Sequence, residues 1–236
     1  MEKKTLLRRV IFGFVFLSMV FSTVYVAIRI IFAPTIAEPG ELGIRVKGDY
    51  TLMLLQCCVG LLLLFTPSLV TRRLNIYIPS TFFIAYTVFL YCAVFLGEVR
   101  SFFYRVPHWD TILHIFSGAM LGAVGIALIN LLNDTNKVPV SLSPAFIAIF
   151  AFCFAVTLGV IWEIYEFSVD CIFNTNMQKH ALENGTLLVG QAALMDTMKD
   201  LVVDCVGALA FSIYGYISLK LKKEWTKNFV IHKVDN

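Results

Sequence analysis

The chain has 236 residues, of which 58% are hydrophobic and only 15% charged, and its 19 Lys and Arg against 16 Asp and Glu give a net charge of +3. A soluble domain is about half apolar and a quarter charged, so this composition excludes an ordinary soluble globular fold. The small net charge, with no basic stripe, argues equally against a nucleic-acid partner.

A mean hydropathy of +0.79 points to a polytopic membrane protein. Six stretches are long enough to span a bilayer, which takes about 20 mostly apolar residues. They are predicted at 11–33, 51–70, 77–98, 110–133, 143–173 and 196–219. The first is too long for a signal peptide and ends without a small-residue cleavage site, so it reads as a retained span. Arg29, near its end, is expected to snorkel to the interface. The second and third spans carry little chemistry and are predicted to form, over 11–98, a supporting layer with the first. The fourth opens WDTILHIFSG, placing Asp110 and His114 one helical turn apart and Ser117 another turn on. The fifth runs without charge from Ser143 to Trp162 and then ends EIYEFSVD. There Glu163, Glu166 and Asp170 fall on one helix face. The sixth opens DTMKDLVVD, with Asp196, Asp200 and Asp204 each four residues from the next.

Lysine and arginine predict the orientation. One set of loops and ends holds Lys3, Lys4, Arg8, Arg9, Arg72, Arg73, Lys137, Lys220, Lys222, Lys223, Lys227 and Lys233. The other holds Arg45, Lys47, Arg100, Arg105 and Lys179. By the positive-inside rule both termini are cytoplasmic in a cell membrane crossed six times. The expected fold is therefore an all-α, polytopic membrane helical bundle, a single integral domain over 1–236 with its polar site in 110–219. Because consecutive spans alternate direction, the start of span four, the end of span five and the start of span six meet on one membrane face, here the extracytoplasmic one. Gly118, Gly122, Gly125, Gly159, Gly207 and Ala208 are small enough to let these three helices approach closely. The six cysteines, all in apolar spans, read as packing residues; Cys171 and Cys205 lie near enough the polar cluster that a disulfide is conceivable.

These motifs resemble the YjdF-like family of uncharacterised bacterial inner-membrane proteins over about residues 95–215. The elements that carry the likeness are WDTILHIFSG, WEIYEF followed by Asp170, and DTMKDLVVDCVGA. More distantly the chain is similar to the VanZ-like group, whose pattern is Asp-x3-His, Glu-x2-Gln and Asp-x3-Asn-x2-Gly. The matching positions are Asp110 and His114, Glu163 and Glu166, then Asp200, Asp204 and Gly207. Glu166 stands for the glutamine and Asp204 for the asparagine, making this cluster two charges more acidic. The arginine that often precedes the VanZ-like aspartate has no equivalent; in sequence Lys199 is the nearest cation. The resemblance implies a shared site but no reaction. Signatures of CDP-alcohol phosphotransferases and of phosphatidic-acid-type phosphatases are absent.

Carboxylates crowded at one depth of a membrane need a bound cation, shared protons or water. A cation makes His114, Glu163, Glu166, Asp200 and Asp204 its expected ligands, with Asp110, Asp196 and Ser117 supporting them. Mixed nitrogen and oxygen ligation suits Zn²⁺ or Mn²⁺, and an oxygen-dominated set suits Mg²⁺, Mn²⁺ or Ca²⁺. A surplus acid, Asp170 or Glu166, would act as general base. This reading is a metal-dependent hydrolase or transferase acting on a lipid or envelope precursor at the bilayer surface. The alternatives are a proton- or cation-coupled transporter and a non-catalytic scaffold. Asp196 alone also fits an N-terminal helix cap. His108 and His180 lie in loops near the cluster, Trp109, Trp162 and Trp225 fit interfacial anchors, and NGT at Asn184 matches a glycosylation sequon. The loop Asn174–Met195 is a candidate lid.

Overall fold

A computed structural model of the chain describes residues 2–35, 45–133, 142–182, 185–221 and 232–233. Among the described residues, six helices are long and apolar enough to cross a membrane. Helix α1 (Glu2–Phe32) and α2 (Lys47–Leu74) are followed by β1 (Ile76–Tyr77). Next comes α3 (Ser80–Leu90), which runs on as a π-helical segment (Tyr91–Val99). A short α4 (Phe102–Arg105) leads to α5 (Trp109–Asn133), α6 (Pro144–Phe173) and α7 (Gln191–Lys220). Near the end of the chain β2 (His232–Lys233) pairs antiparallel with β1.

Each long helix outruns its apolar run because its ends are set by local chemistry. Ser143 caps α6 by accepting the Phe146 amide at 3.2 Å, with Pro144 at the first helical position. Asn174 then ends it in the left-handed conformation at φ 51°. Helix α7 starts at Gln191, five residues before the predicted start, so Asp196 sits in its second turn and is no cap. Asp204 is consequently about 20 Å along the helix from its first residue.

The helices form two triplets. Helices α5, α6 and α7 pack on one another throughout, while α1, α2 and α3 with its π-helical extension make the second group. Their predicted close approach is clearest between α5 and α7. A Cβ on Gly118 would lie 2.3 Å from the Asp204 carbonyl oxygen, and one on Gly207 would lie 2.1 Å from that of Ile115. Two glycines facing opposite backbones thus bring α5 and α7 to a separation no other residue permits.

The first triplet has its own core of Val15, Met19, Cys57, Leu64, Leu90 and Val94. Arg29 does not simply snorkel outward: its Nε donates to the Tyr50 hydroxyl at 3.1 Å, tying α1 to α2. The six cysteines differ in exposure. Cys57 is buried, but Cys58, Cys153 and Cys171 are exposed on the bundle's outer side, where sulfur meets hydrocarbon as readily as it would a core. All six are free, so Cys171 and Cys205 form no disulfide. Large apolar side chains such as Phe21, Leu62, Ile149 and Ile164 are also exposed, as the faces of membrane spans require. Lys137, Asn184, Lys222, Lys223, Trp225 and Lys227 lie outside the described residues, as do the side chains of Lys3, Lys4 and Lys233.

Candidate metal centre

The starts of α5 and α7 and the end of α6 converge at one end of the second triplet. Glu163 lies about 15 Å along α6 from its end at Phe173, as the predicted limit of the fifth span places it. His114, Glu163, Glu166, Asp170, Asp200 and Asp204 are all buried there, with Asp200 only 1% exposed.

His114 is the hub. Its Nδ1 lies 3.2 Å from Asp204 Oδ2, and its Nε2 lies 3.7 Å from both Asp110 Oδ1 and Asp200 Oδ2. The Ser117 hydroxyl donates to Asp204 Oδ1 at 2.8 Å, with the His114 carbonyl as an alternative acceptor at the same distance. Room for the Asp204 carboxylate comes from Gly159 on α6, where a Cβ would lie 2.8 Å from Oδ2. One edge of the imidazole is thus held from behind by a carboxylate that is itself anchored. The other edge faces two further carboxylates. One ligand atom from each of Asp110, His114 and Asp200 falls within 4.8 Å of the others.

Asp110, expected as a supporting residue, thus stands with His114 and Asp200 as a group close enough to share a cation, whereas Asp204, expected as a ligand, lies against the other ring nitrogen. A ligating histidine commonly has its second nitrogen bonded to a carboxylate in this way, which sets its tautomer and ring orientation.

The remaining acids divide by partner. Asp170, expected as a general base, has both oxygens occupied. Oδ1 accepts from Thr175 Oγ1 at 2.6 Å and the Met177 amide at 2.7 Å, and Oδ2 accepts from the Gln178 amide at 2.9 Å. His180 Nδ1 also comes within 3.5 Å of Oδ2. These bonds make Asp170 the fastening for the loop after α6. Glu166 Oε1 accepts from Trp162 Nε1 at 2.8 Å, which ties Trp162 to the cluster. Neither oxygen of the buried Glu163 makes a hydrogen bond of normal geometry, although the Thr197 hydroxyl lies beside it, and Asp200 Oδ1 is likewise unpartnered. Leaving such groups buried and unmatched costs about 1–3 kcal/mol each, more when charged.

Lys179 is the residue that sequence reading missed. Its ammonium pairs with Asp110 Oδ2 and lies 3.0 Å and 3.2 Å from the two oxygens of Asp196. In the sequence it is only a loop charge, and Lys199 is the cation nearest the aspartate ladder. Its signal was present, since it is the one basic residue between Asn174 and Gln191. What no sequence shows is that Asp170 curls the loop inward and carries Lys179 over the cluster. Gln178 Nε2 closes the same loop on Thr197 Oγ1 at 2.9 Å. His108 is exposed and outside this network.

Burial acts to lower the Lys179 pKa, but attraction to Asp110 and Asp196 outweighs it and the pKa is raised. The stability this pair contributes is therefore complete below the unfolded value of about 10.4 and is lost only as pH rises through the raised folded value. Lys179→Met is expected to lower stability at neutral pH by about 1–3 kcal/mol, because two partly buried carboxylates lose their counter-charge. Thermal unfolding in detergent at pH 7 measures this, and an unchanged midpoint would show the pairing to be energetically idle.

A family model described as "Predicted membrane protein (DUF2238)" matches residues 27–221, which takes in all the groups just described. The chain belongs to the DUF2238 family. Membership agrees with the likeness to uncharacterised YjdF-like membrane proteins and carries no reaction with it. Comparison with curated proteins and with solved structures gives no match. For this DUF2238 member, the chemistry must be argued from the cluster itself.

Proposed function

We propose that this protein is a metal-dependent hydrolase or transferase of the cell membrane, acting at the extracytoplasmic ends of α5, α6 and α7 on a lipid or envelope-precursor substrate. The observation that carries the reading is the two-sided setting of His114. Asp204 orients the ring through Nδ1, and Nε2 faces Asp110 and Asp200 across equal distances of 3.7 Å. A divalent cation between those three atoms would meet one nitrogen and two oxygens, a set that favours Zn²⁺ or Mn²⁺ over Mg²⁺ or Ca²⁺. Charge supports the same reading. The carboxylates of Asp110, Glu163, Glu166, Asp196, Asp200 and Asp204 share Lys179 and His114 as their local cations. Glu163 and Asp200 retain oxygens without partners.

Such a cation would polarise a phosphoryl or carbonyl oxygen and lower the pKa of a bound water. Glu166, buried and held by one hydrogen bond from Trp162, is the acid placed to take that proton. Asp170, saturated by the loop, keeps Lys179 and the loop closed over the site. The distant VanZ-like pattern supports an extra cation too, because Glu166 and Asp204 replace neutral amides and no arginine compensates. The sparse lysine and arginine of the loops at this end support its facing outward, with both termini in the cytoplasm.

Elemental analysis of the detergent-purified wild type beside His114→Ala and Asp200→Asn tests the reading. Near-stoichiometric metal in the wild type, lost from both variants, is expected. Background metal in the wild type after supply of Zn²⁺, Mn²⁺, Mg²⁺ and Ca²⁺ would overturn it and leave a proton relay or a scaffold.

A further inference from the structure

The two triplets enclose a cavity of about 300 Å³ that opens onto the cluster, a volume at the lower end of the range for small-molecule sites, roughly 300–1,000 Å³. Its polarity is divided along its length. His114, Asp110, Lys179 and Glu166 line one end, while Val59, Leu90, Ala93 and Leu121 line the rest. The polar groups of the apolar part are already engaged. Tyr86 donates to the Leu63 carbonyl at 2.8 Å, and Gln56 Nε2 contacts Met177 Sδ at 3.4 Å. The carboxylates that line the cavity, Glu98, Asp110, Glu166, Asp196 and Asp204, include those that face His114. On α5, Leu121 follows His114 by seven residues, about 10 Å along the helix, so the apolar part runs well into the hydrocarbon depth.

We propose that this cavity binds the hydrocarbon chain of a single-chain phosphate-ester amphiphile, whose head lies at the His114 cluster. The reading rests on the metal centre for the head group, because an anionic phosphate enters an acid-rich end only beside a cation. It does not rest on that centre for the chain. Water in the apolar part would find too few polar partners, needing two to four of them, and a path for ions would need polar groups along its whole length. Hydrocarbon meets neither objection. The triplets touch chiefly through α5 against α3 and its π-helical extension, which leaves the seam between them for a chain arriving from the bilayer.

The test is photo-crosslinking of the full-length protein in detergent with a monoacyl phosphatidylglycerol carrying a diazirine at its chain end. Label is expected on Met120 and Leu121, competed away by excess unlabelled lipid. It should be lost in Ala93→Phe, a change that fills the cavity from the π-helical wall without touching the cluster. Competition in the wild type needs no variant and so stands even if Ala93→Phe folds poorly. Label confined to the outward-facing Leu62, Ile112 and Phe116, indifferent to competitor, would overturn the proposal. Metal content measured on the same samples separates the two readings. Cavity label without metal would sink the metal centre and sustain the chain site, while metal without cavity label would do the reverse.

Discussion

Gly207→Ala is expected to destabilise the protein more than any other single-methyl addition in the second triplet. The new Cβ would stand 2.1 Å from the Ile115 carbonyl oxygen and 3.1 Å from the Ala119 amide nitrogen. Both are backbone atoms of α5, so no rotamer change can relieve the overlap, and α5 and α7 must move apart. Overpacking of this kind costs about 1–3 kcal/mol and sometimes more. Because Gly118 and Gly207 approach each other's helices at the level of Asp204 and His114, separation also pulls the imidazole away from its carboxylate. The expected result is a lower unfolding midpoint in detergent together with weakened metal binding. Gly13→Ala, where nothing lies within 4 Å of the new Cβ, serves as the control. Equal midpoints for the two variants would mean that α5 and α7 do not pack as closely as described.

Asp204→Asn should separate holding the histidine from ligating the metal. In the wild type, Asp204 accepts from Ser117 and faces His114 Nδ1, while Asp110, His114 and Asp200 form the group close enough to share the proposed cation. The amide keeps the shape of the carboxylate, so the fold should persist. It removes the charge behind the imidazole, and an amide nitrogen turned toward Nδ1 would favour the wrong tautomer. Replacement of such outer partners typically weakens metal affinity by about 10–100-fold. Competition with a graded chelator should show a loss of that order in Asp204→Asn and complete loss in His114→Ala. Complete loss in both would return Asp204 to the ligand set, and no loss in Asp204→Asn would remove it from the site.

Both expectations turn on facts of different visibility in the chain. Hydropathy alone determined which six helices among the described residues are long and apolar enough to cross a membrane, because a span must be apolar over about 20 residues regardless of its neighbours. The alternation of spans then determined that Asp110, the acids after Trp162 and the aspartate ladder share one end. Helical spacing put His114 beside Asp110 and stacked Asp196, Asp200 and Asp204 on one face. These inferences rest on local periodicity and on the topology of a chain threaded back and forth.

Tertiary structure decided the rest, for reasons that sequence periodicity cannot contain. Which carboxylate would face which nitrogen of His114 depended on how closely α5 meets α7, a distance set by Gly118 and Gly207 lying against each other's helix backbones. Asp204 therefore meets Nδ1, while Asp110 and Asp200 meet Nε2. Whether Asp170 remained available depended on the path of an irregular loop, and backbone amides at Met177 and Gln178 claimed it. The same loop carried Lys179 onto Asp110 and Asp196, an ion pair across 69 residues that no helical repeat foretells. Finally, the first three spans looked chemically mute because their residues are apolar. Only the packing of α3 and its π-helical extension against α5 makes residues of the second and third spans one wall of a cavity that ends at His114. Periodicity reports which side of a helix is polar, and the approach of helices and loops determines what that side meets.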